Sequence, residues 1–159
     1  KVMLASGVPI TAQSMGIMLC GTVLGAKRGA LAVLLFITLT ALGLPLLSGG
    51  RGGLGVFASP SVGFIVGFPL AAFVAGWITS RLKLINVFYS SLLGAIIGGI
   101  LILYIPGIVG MSIMLDKSIS EAALIALIYL PGDCIKAFLC AMLTHTLFKL
   151  RPENVLSRI

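Results

Sequence analysis

Long apolar runs constrain this chain more than any motif does. Five of them, near residues 8–24, 30–47, 61–79, 84–105 and 122–150, are separated by short charged or glycine-rich breaks. Each is close to the ~20 residues that a helix needs to cross the hydrocarbon core of a bilayer. Within lipid every backbone N–H and C=O has to be satisfied internally, so such runs predict an all-α membrane protein, a bundle of transmembrane helices. Composition excludes the soluble classes: 59% of the 159 residues are hydrophobic, 9% are charged and the mean hydropathy is +1.21, against about a quarter charged in a soluble domain. Residues 106–115, between the fourth and fifth runs, are still apolar and read as a short re-entrant or interfacial piece.

Lys and Arg gather at the ends of the runs, and cytoplasmic connections are enriched in them. Lys27, Arg28, Arg81, Lys83, Lys149, Arg151 and Arg158 fall on one side, and Lys1, Arg51 and Lys117 on the other. The expected orientation therefore puts the C-terminus in the cytoplasm and residues 48–64 outside. The net charge of +7 reports topology and lipid headgroups; with no basic stripe interleaved with aromatics, nucleic acid is excluded as a partner. Five runs with the tail inside leave Lys1 outside, so a preceding helix is expected, its end surviving as KVMLAS.

The outer loop SGGRGGLGVFASPSVGF contains Gly50-Arg51-Gly52-Gly53-Leu54-Gly55, the letters of the dinucleotide fingerprint G-x-G-x-x-G. That fingerprint has meaning only between a strand and a helix of a βαβ unit, and here it joins two membrane runs, so it is coincidence. Gly49, Gly50, Gly52 and Gly53 instead describe a flexible gate, and Ser59-Pro60 supplies a cap and a first-turn proline for the third run. Arg51, the loop's one charge, meets either an anionic solute or a lipid phosphate. Thr11, Gln13 and Ser14 of VPITAQS, at the outer end of the first run, either line the same cavity or bond to backbone.

Charge enters the membrane in LPGDCIKAF. Asp133 and Lys136 lie about 16 Å from the outer end of the fifth run at 1.5 Å per residue, where ionisable groups are costly and mark function by default. Their i, i+3 spacing puts both on one helix face. Pro131-Gly132 just before them loosens the helical ladder, and unwound backbone at such depth is tolerated where it lines a cavity. An acid, a base and a break within six residues describe a polar pocket for a small ligand; the alternative is a self-neutralising pair that fixes helix packing.

Other features carry less. Gly63, Gly67, Ala71 and Ala75, with Gly94 and Gly98 and with Gly21 and Gly25, recur at four-residue spacing and serve either close packing or docking of a partner. Cys20, Cys134 and Cys140 read as buried small hydrophobes. His145, between Thr144 and Thr146, reads as an interhelical hydrogen-bonding residue rather than a relay or a ligand. No metal site is expected, no nucleophile–base–acid set can be assembled, and no G-x-x-x-x-G-K-[ST] occurs that would let the chain use ATP itself.

Taken in order, VPITAQS, LGAKRGALAVLLF, GLPLLSGGRGGLGVFASPSVGFIVGFPLAAFVAG and LPGDCIKAF resemble the BioY family, the biotin-specific S components of energy-coupling factor (ECF) vitamin transporters. The match covers nearly the whole chain. The resemblance implies a six-helix protein of the prokaryotic plasma membrane, of which this chain holds about five helices plus the end of the first, in a single S-component domain over residues 1–159. It further implies capture of biotin from the external side, with no cofactor and no enzymatic activity, and partnership with a transmembrane T component and two cytoplasmic ATPases. Asp133 and Lys136 carry over as ligand-binding residues, and the glycine loop as the gate. The chain departs from the family pattern at Ser61 and Phe64, where a Thr and a Tyr are often found, so an S component for another small vitamin remains an alternative, as does a stand-alone small-solute carrier.

Overall fold

A computed structural model of the chain describes residues 2–3 and 9–159. Val2–Met3 (β1) pairs antiparallel with Pro9–Ile10 (β2). The expected helix remnant KVMLAS lies outside the described residues apart from Val2–Met3, which are extended. Everything after β2 is helix and connecting loop, and the first helix, α1, spans Gln13–Leu24.

One residue joins α1 to α2 (Ala26–Ala41): Gly25, at φ 84°. This is backbone that glycine adopts at little cost, and it doubles the chain back so that Gly29 lies against the Cys20 carbonyl and the Gly21 Cα. Lys27 and Arg28, expected in a connection, are therefore in the first turn of α2. That helix stops well short of residue 47, because Gly43 takes φ 108° and Pro45 follows.

A loop containing a short 3-10 turn, Leu54–Ala58, leads to α3, Val62–Arg81. Ser61 is the residue at its N-cap, with no side-chain cap bond. The expected cap, Ser59, donates its hydroxyl to the Val56 carbonyl at 2.7 Å instead, which moves the helix start past Pro60.

The expected fourth run and the apolar piece after it form one continuous helical rod, Val87–Leu115, about 43 Å long at 1.5 Å per residue. It comprises α4 (Val87–Ile96), a π-helical stretch (Ile97–Ile102) and α5 (Leu103–Leu115). Residues 106–115 are thus neither re-entrant nor interfacial. Pro106 inside α5 cannot donate to the carbonyl four residues back, and the wider π turns lie just where that bond is lost. Asp116, left-handed at φ 52°, ends the rod. Ser118 and Glu121 then form a reciprocal capping box that starts α6 (Ile119–Leu127), and α7 (Leu130–Leu150) follows at a bend of 55°.

Among the described residues two helices, α3 and the 29-residue rod, are each long and apolar enough to cross a membrane, and the bent α6–α7 pair, taken as one span, makes a third. Helices α1, at 12 residues, and α2, at 16, are shorter than the runs that suggested them.

Helix α3 is the centre of the bundle. Its Gly63 lies against the Pro106 carbonyl and Gly110 of α5, its Ala71 and Ala75 backbone against Gly98, its Ala75 carbonyl against Gly94, and its Ala72 carbonyl against Gly21 of α1. The small-residue stripes thus serve packing within the bundle. Between α1 and α7 the contact is polar: buried Thr22 and Thr144 share a hydrogen bond of 2.9 Å, with Cys140 beside them. The tail closes this end of the bundle, its Ser157 amide on the Val23 carbonyl at 3.1 Å and its Val155 fully buried.

A methyl group at Gly63 would overlap the Pro106 carbonyl oxygen, whereas one at Gly16 would meet nothing within 4 Å. Gly63→Ala is therefore expected to destabilise by about 1–3 kcal/mol, the usual cost of overpacking, and Gly16→Ala to be neutral or stabilising by up to ~1 kcal/mol. Thermal unfolding of the two variants in one detergent checks this; equal midpoints would show that the α3–α5 contact yields freely.

Candidate functional site

The site is built where α6 gives way to α7. The break lies at Ile128–Tyr129, ahead of Pro131-Gly132 rather than at it. Pro131 falls in the first turn of α7, where its missing N–H leaves no bond unmade. Asp133 is also in that first turn, its amide bonded to the Tyr129 carbonyl at 3.0 Å. It therefore lies at a helix start, not in the middle of a continuous span, and the position suits it: the positive end of the helix dipole favours a carboxylate.

Four side chains from three helices meet there. Lys136 Nζ donates to Asp133 Oδ1 at 2.6 Å and to Ser14 Oγ at 3.2 Å, while Ser14 Oγ donates to the same Oδ1 at 3.2 Å. Tyr104, from α5, donates its hydroxyl to Oδ2 at 2.8 Å. Both carboxylate oxygens thus hold donors. The side chains of Asp133 and Lys136 are 8% and 16% exposed, so the pair is screened little by water.

Asp133 and Lys136 form one wall of a cavity of about 80 Å³ that also brings together Thr11, Gln13, Arg51, Ser61 and Phe64. All the side chains expected at the site from the sequence are in that lining. Gly49, Gly50, Gly52 and Gly53 are not; they shape the loop that carries Arg51. Gly49, Gly50 and Gly53 take φ of 86°, 70° and 80°, and Gly52 leaves no room for a Cβ against the Leu44 carbonyl. The loop is tied down by Leu47 N to the Arg51 carbonyl (3.0 Å), Gly53 N to the Thr40 carbonyl (2.7 Å) and Ser48 N to Gln13 Oε1 (3.3 Å). Gln13 Nε2 is buried with no hydrogen-bond partner among the described residues, an unused donor at the cavity wall.

Ser14, Leu47, Ile65, Phe68, Leu103 and Tyr129 complete the lining, so polar groups from several elements share the cavity with apolar side chains. The starts of α1, α3 and α7 contribute Gln13 and Ser14, Ser61 and Phe64, and Asp133. Three positive helix ends consequently lie near the cavity, an arrangement that suits a ligand with an anionic end.

Sequence reasoning missed Tyr104. It is a tyrosine within an apolar run, and a buried phenol usually finds a partner; that signal was available, but not the identity of a carboxylate 29 positions away. Phe64 packs edge-on to its ring, centroids 6.0 Å apart. Elsewhere two expectations change. The interhelical hydrogen bond near the end of α7 is made by Thr144, while His145 stands edge-on to Phe88 with its Nδ1 unpartnered among the described residues. Of the cysteines only Cys140 is buried, and Cys134 is exposed on the outer face of α7.

Comparison with known proteins gives one answer. The model of the BioY family matches residues 1–153. A biotin transporter BioY of Rhodobacter capsulatus is 45% identical over 98% of this chain and 86% of its own length. Another, from Rhizobium etli, is 48% identical over 86% of this chain and 75% of its own. Among solved structures, the S-component for biotin from an ECF-type ABC transporter superposes with a TM-score of 0.84 at 32% identity, covering 89% of this chain and 76% of that one.

Removing one member of the buried pair leaves the other uncompensated. Asp133→Asn is expected to destabilise by about 3 kcal/mol, and the double variant Asp133→Asn/Lys136→Met to regain most of that loss. Unfolding midpoints of the two variants decide; a double variant as unstable as the single would mean that the pair is not coupled.

Proposed function

The chain belongs to the BioY family, and from that premise we propose that it is the biotin-binding S component of an ECF uptake transporter. The observation that carries this reading is the Asp133–Lys136–Ser14–Tyr104 cluster set into an apolar cavity under the Arg51 loop. Biotin's ureido ring offers two N–H donors and one carbonyl acceptor, and its valerate is an anion, so an acid and a base in an apolar pocket satisfy opposite ends of its chemistry. Asp133 accepts from a ureido N–H, and Lys136 donates to a carbonyl or carboxylate oxygen. The bicyclic ring and methylenes lie along Phe64, Phe68 and Leu103. Thr11, Gln13 and Ser61 add hydrogen bonds, and Arg51, which lines the cavity, meets the valerate rather than a lipid phosphate.

The glycine loop acts as the gate. A cavity of about 80 Å³ is below the ~300 Å³ at the lower end of small-molecule sites, so uptake of the ligand needs the loop or the side chains beneath it to move. Backbone rotations at Gly49, Gly50 and Gly53 supply that freedom. Residues 1–159 work as one S-component domain in a prokaryotic plasma membrane, with the Arg51 loop external and the seven-cation end and C-terminus cytoplasmic, as the distribution of Lys and Arg supports. The protein is not an enzyme: a T component and two cytoplasmic ATPases supply the energy. No cofactor takes part.

Calorimetric titration of biotin into the purified protein in detergent tests the assignment. The unsubstituted protein should bind saturably, and Asp133→Asn and Lys136→Ala should each bind about 10²- to 10³-fold more weakly, while Glu153→Gln, on the tail, should bind as before. Thiamine and riboflavin should not compete. A folded protein that ignores biotin, or binds another vitamin more tightly, would sink the assignment.

A further inference from the structure

A second polar recess lies at the other end of the bundle, where α3 and α7 terminate. It measures about 450 Å³, and its walls include Lys83, Asn86, His145, Phe148, Lys149 and Arg158. No acidic side chain lines it. Arg158 is fixed in place by bonds to the Leu82 and Ile85 carbonyls at 2.8 and 2.6 Å, which hold its guanidinium without neutralising it. Burial pulls the pKa of Arg158 below its ordinary value, the direction expected of a desolvated cation. Lys83 reaches the Ile159 carbonyl at 2.8 Å, and Lys149 forms no ion pair among the described residues.

Two further observations point to a ligand here. His145 Nδ1 is buried without a hydrogen-bond partner among the described residues, in a side chain that lines the recess. The start of α4, with Asn86 capping the Phe88 amide at 2.9 Å, turns its positive dipole end into the same space. Part of its lining is apolar and open to the surroundings: Leu84 is fully exposed, and Ile85 is exposed next to it. Cations inside and bare apolar side chains at the edge match an amphiphile, a headgroup within and acyl chains outside.

We propose that this recess holds the phosphate of an anionic phospholipid headgroup through Lys83, Lys149, Arg158 and His145. The site is independent of whatever occupies the Asp133 cavity. Native mass spectrometry of the protein in an equimolar mixture of phosphatidylglycerol and phosphatidylcholine tests it. Phosphatidylglycerol should be retained preferentially, and Lys83→Gln and Lys149→Gln should each reduce the preference about five-fold. Arg151→Gln, at the same end but paired with Glu153, should leave it intact. Equal retention of the two lipids by the unsubstituted protein overturns the proposal. So does an unchanged preference in Lys149→Gln, an exposed position that tolerates substitution, or an equal loss in Arg151→Gln, which would indicate surface charge alone. In a parallel thermal-shift series, inorganic phosphate at matched ionic strength should stabilise less than phosphatidylglycerol; an equal effect would make free phosphate the ligand and remove the lipid.

Discussion

Close approach of backbones along α3 is the constraint on which the rest depends. Helices surrounded by lipid gain nothing from hiding apolar side chains from one another, so they associate through packing and polar contacts. Here Gly63, Ala71, Ala72 and Ala75 bring the α3 backbone against Pro106 and Gly110, Gly98, and Gly21, with nothing larger than a methyl group between. That contact sets the distance from α3 to α1 and α5. It therefore also sets the distance between Ser14 on α1, Tyr104 on α5 and Ser61 at the head of α3, the groups around the Asp133 cavity. Loosening the seam would widen the cavity before it changed any residue in the lining.

Within that frame the carboxylate of Asp133 is the costliest group, and its surroundings account for its stability. A bare charge in a low-dielectric interior is strongly unfavourable. Lys136 supplies the opposite charge, Ser14 and Tyr104 supply hydrogen bonds to the two oxygens, and the start of α7 supplies a dipole end. The break between α6 and α7 makes this possible, because an unbroken helix would place Asp133 mid-span without that end. Pro131 is compatible with the first turn of a new helix and not with the interior of a long one. The same residue thus decides both where the helix starts and which environment the acid meets.

Much of this was legible in the sequence, for reasons that differ by residue. The apolar runs gave the helical class because the bilayer imposes length and continuity. Asp133 and Lys136 stood out because charge within such a run is rare, and Arg51 because it is alone in a glycine loop. Tyr104 was not legible as a site residue, since its partner on α7 is brought to it by the tertiary fold and not by any sequence spacing. The break was placed slightly late, because proline marks where a helix cannot continue but not whether it belongs to the segment before or after. The rod from Val87 to Leu115 was split in two because Pro106 reads as a stop, whereas a π stretch can absorb the lost bond. The third-run cap was misplaced because Ser59 found a nearer acceptor in Val56.

The two ends of the molecule are closed in different ways, and that difference bears on the proposed gate. At the basic end the tail is anchored by buried Val155, by Ser157 on Val23 and by Arg158 on two carbonyls beyond α3. At the cavity end the Arg51 loop is held by Ser48 on Gln13 of α1, by Gly53 on the Thr40 carbonyl of α2 and by buried Leu47 and Val56, while the Arg51 side chain reaches the carbonyl of Ser48 at 3.5 Å. A typical neutral hydrogen bond contributes about 1 kcal/mol net, so moving the tip of the loop while Leu47 and Val56 stay buried costs a few such bonds. Glycines at positive φ on the loop add backbone freedom on that side, where bulkier residues would be strained. On the proposed reading a solute reaches the Asp133 cavity past the tip of the glycine loop, while Leu47, Val56, the α3 seam and the basic end stay in place.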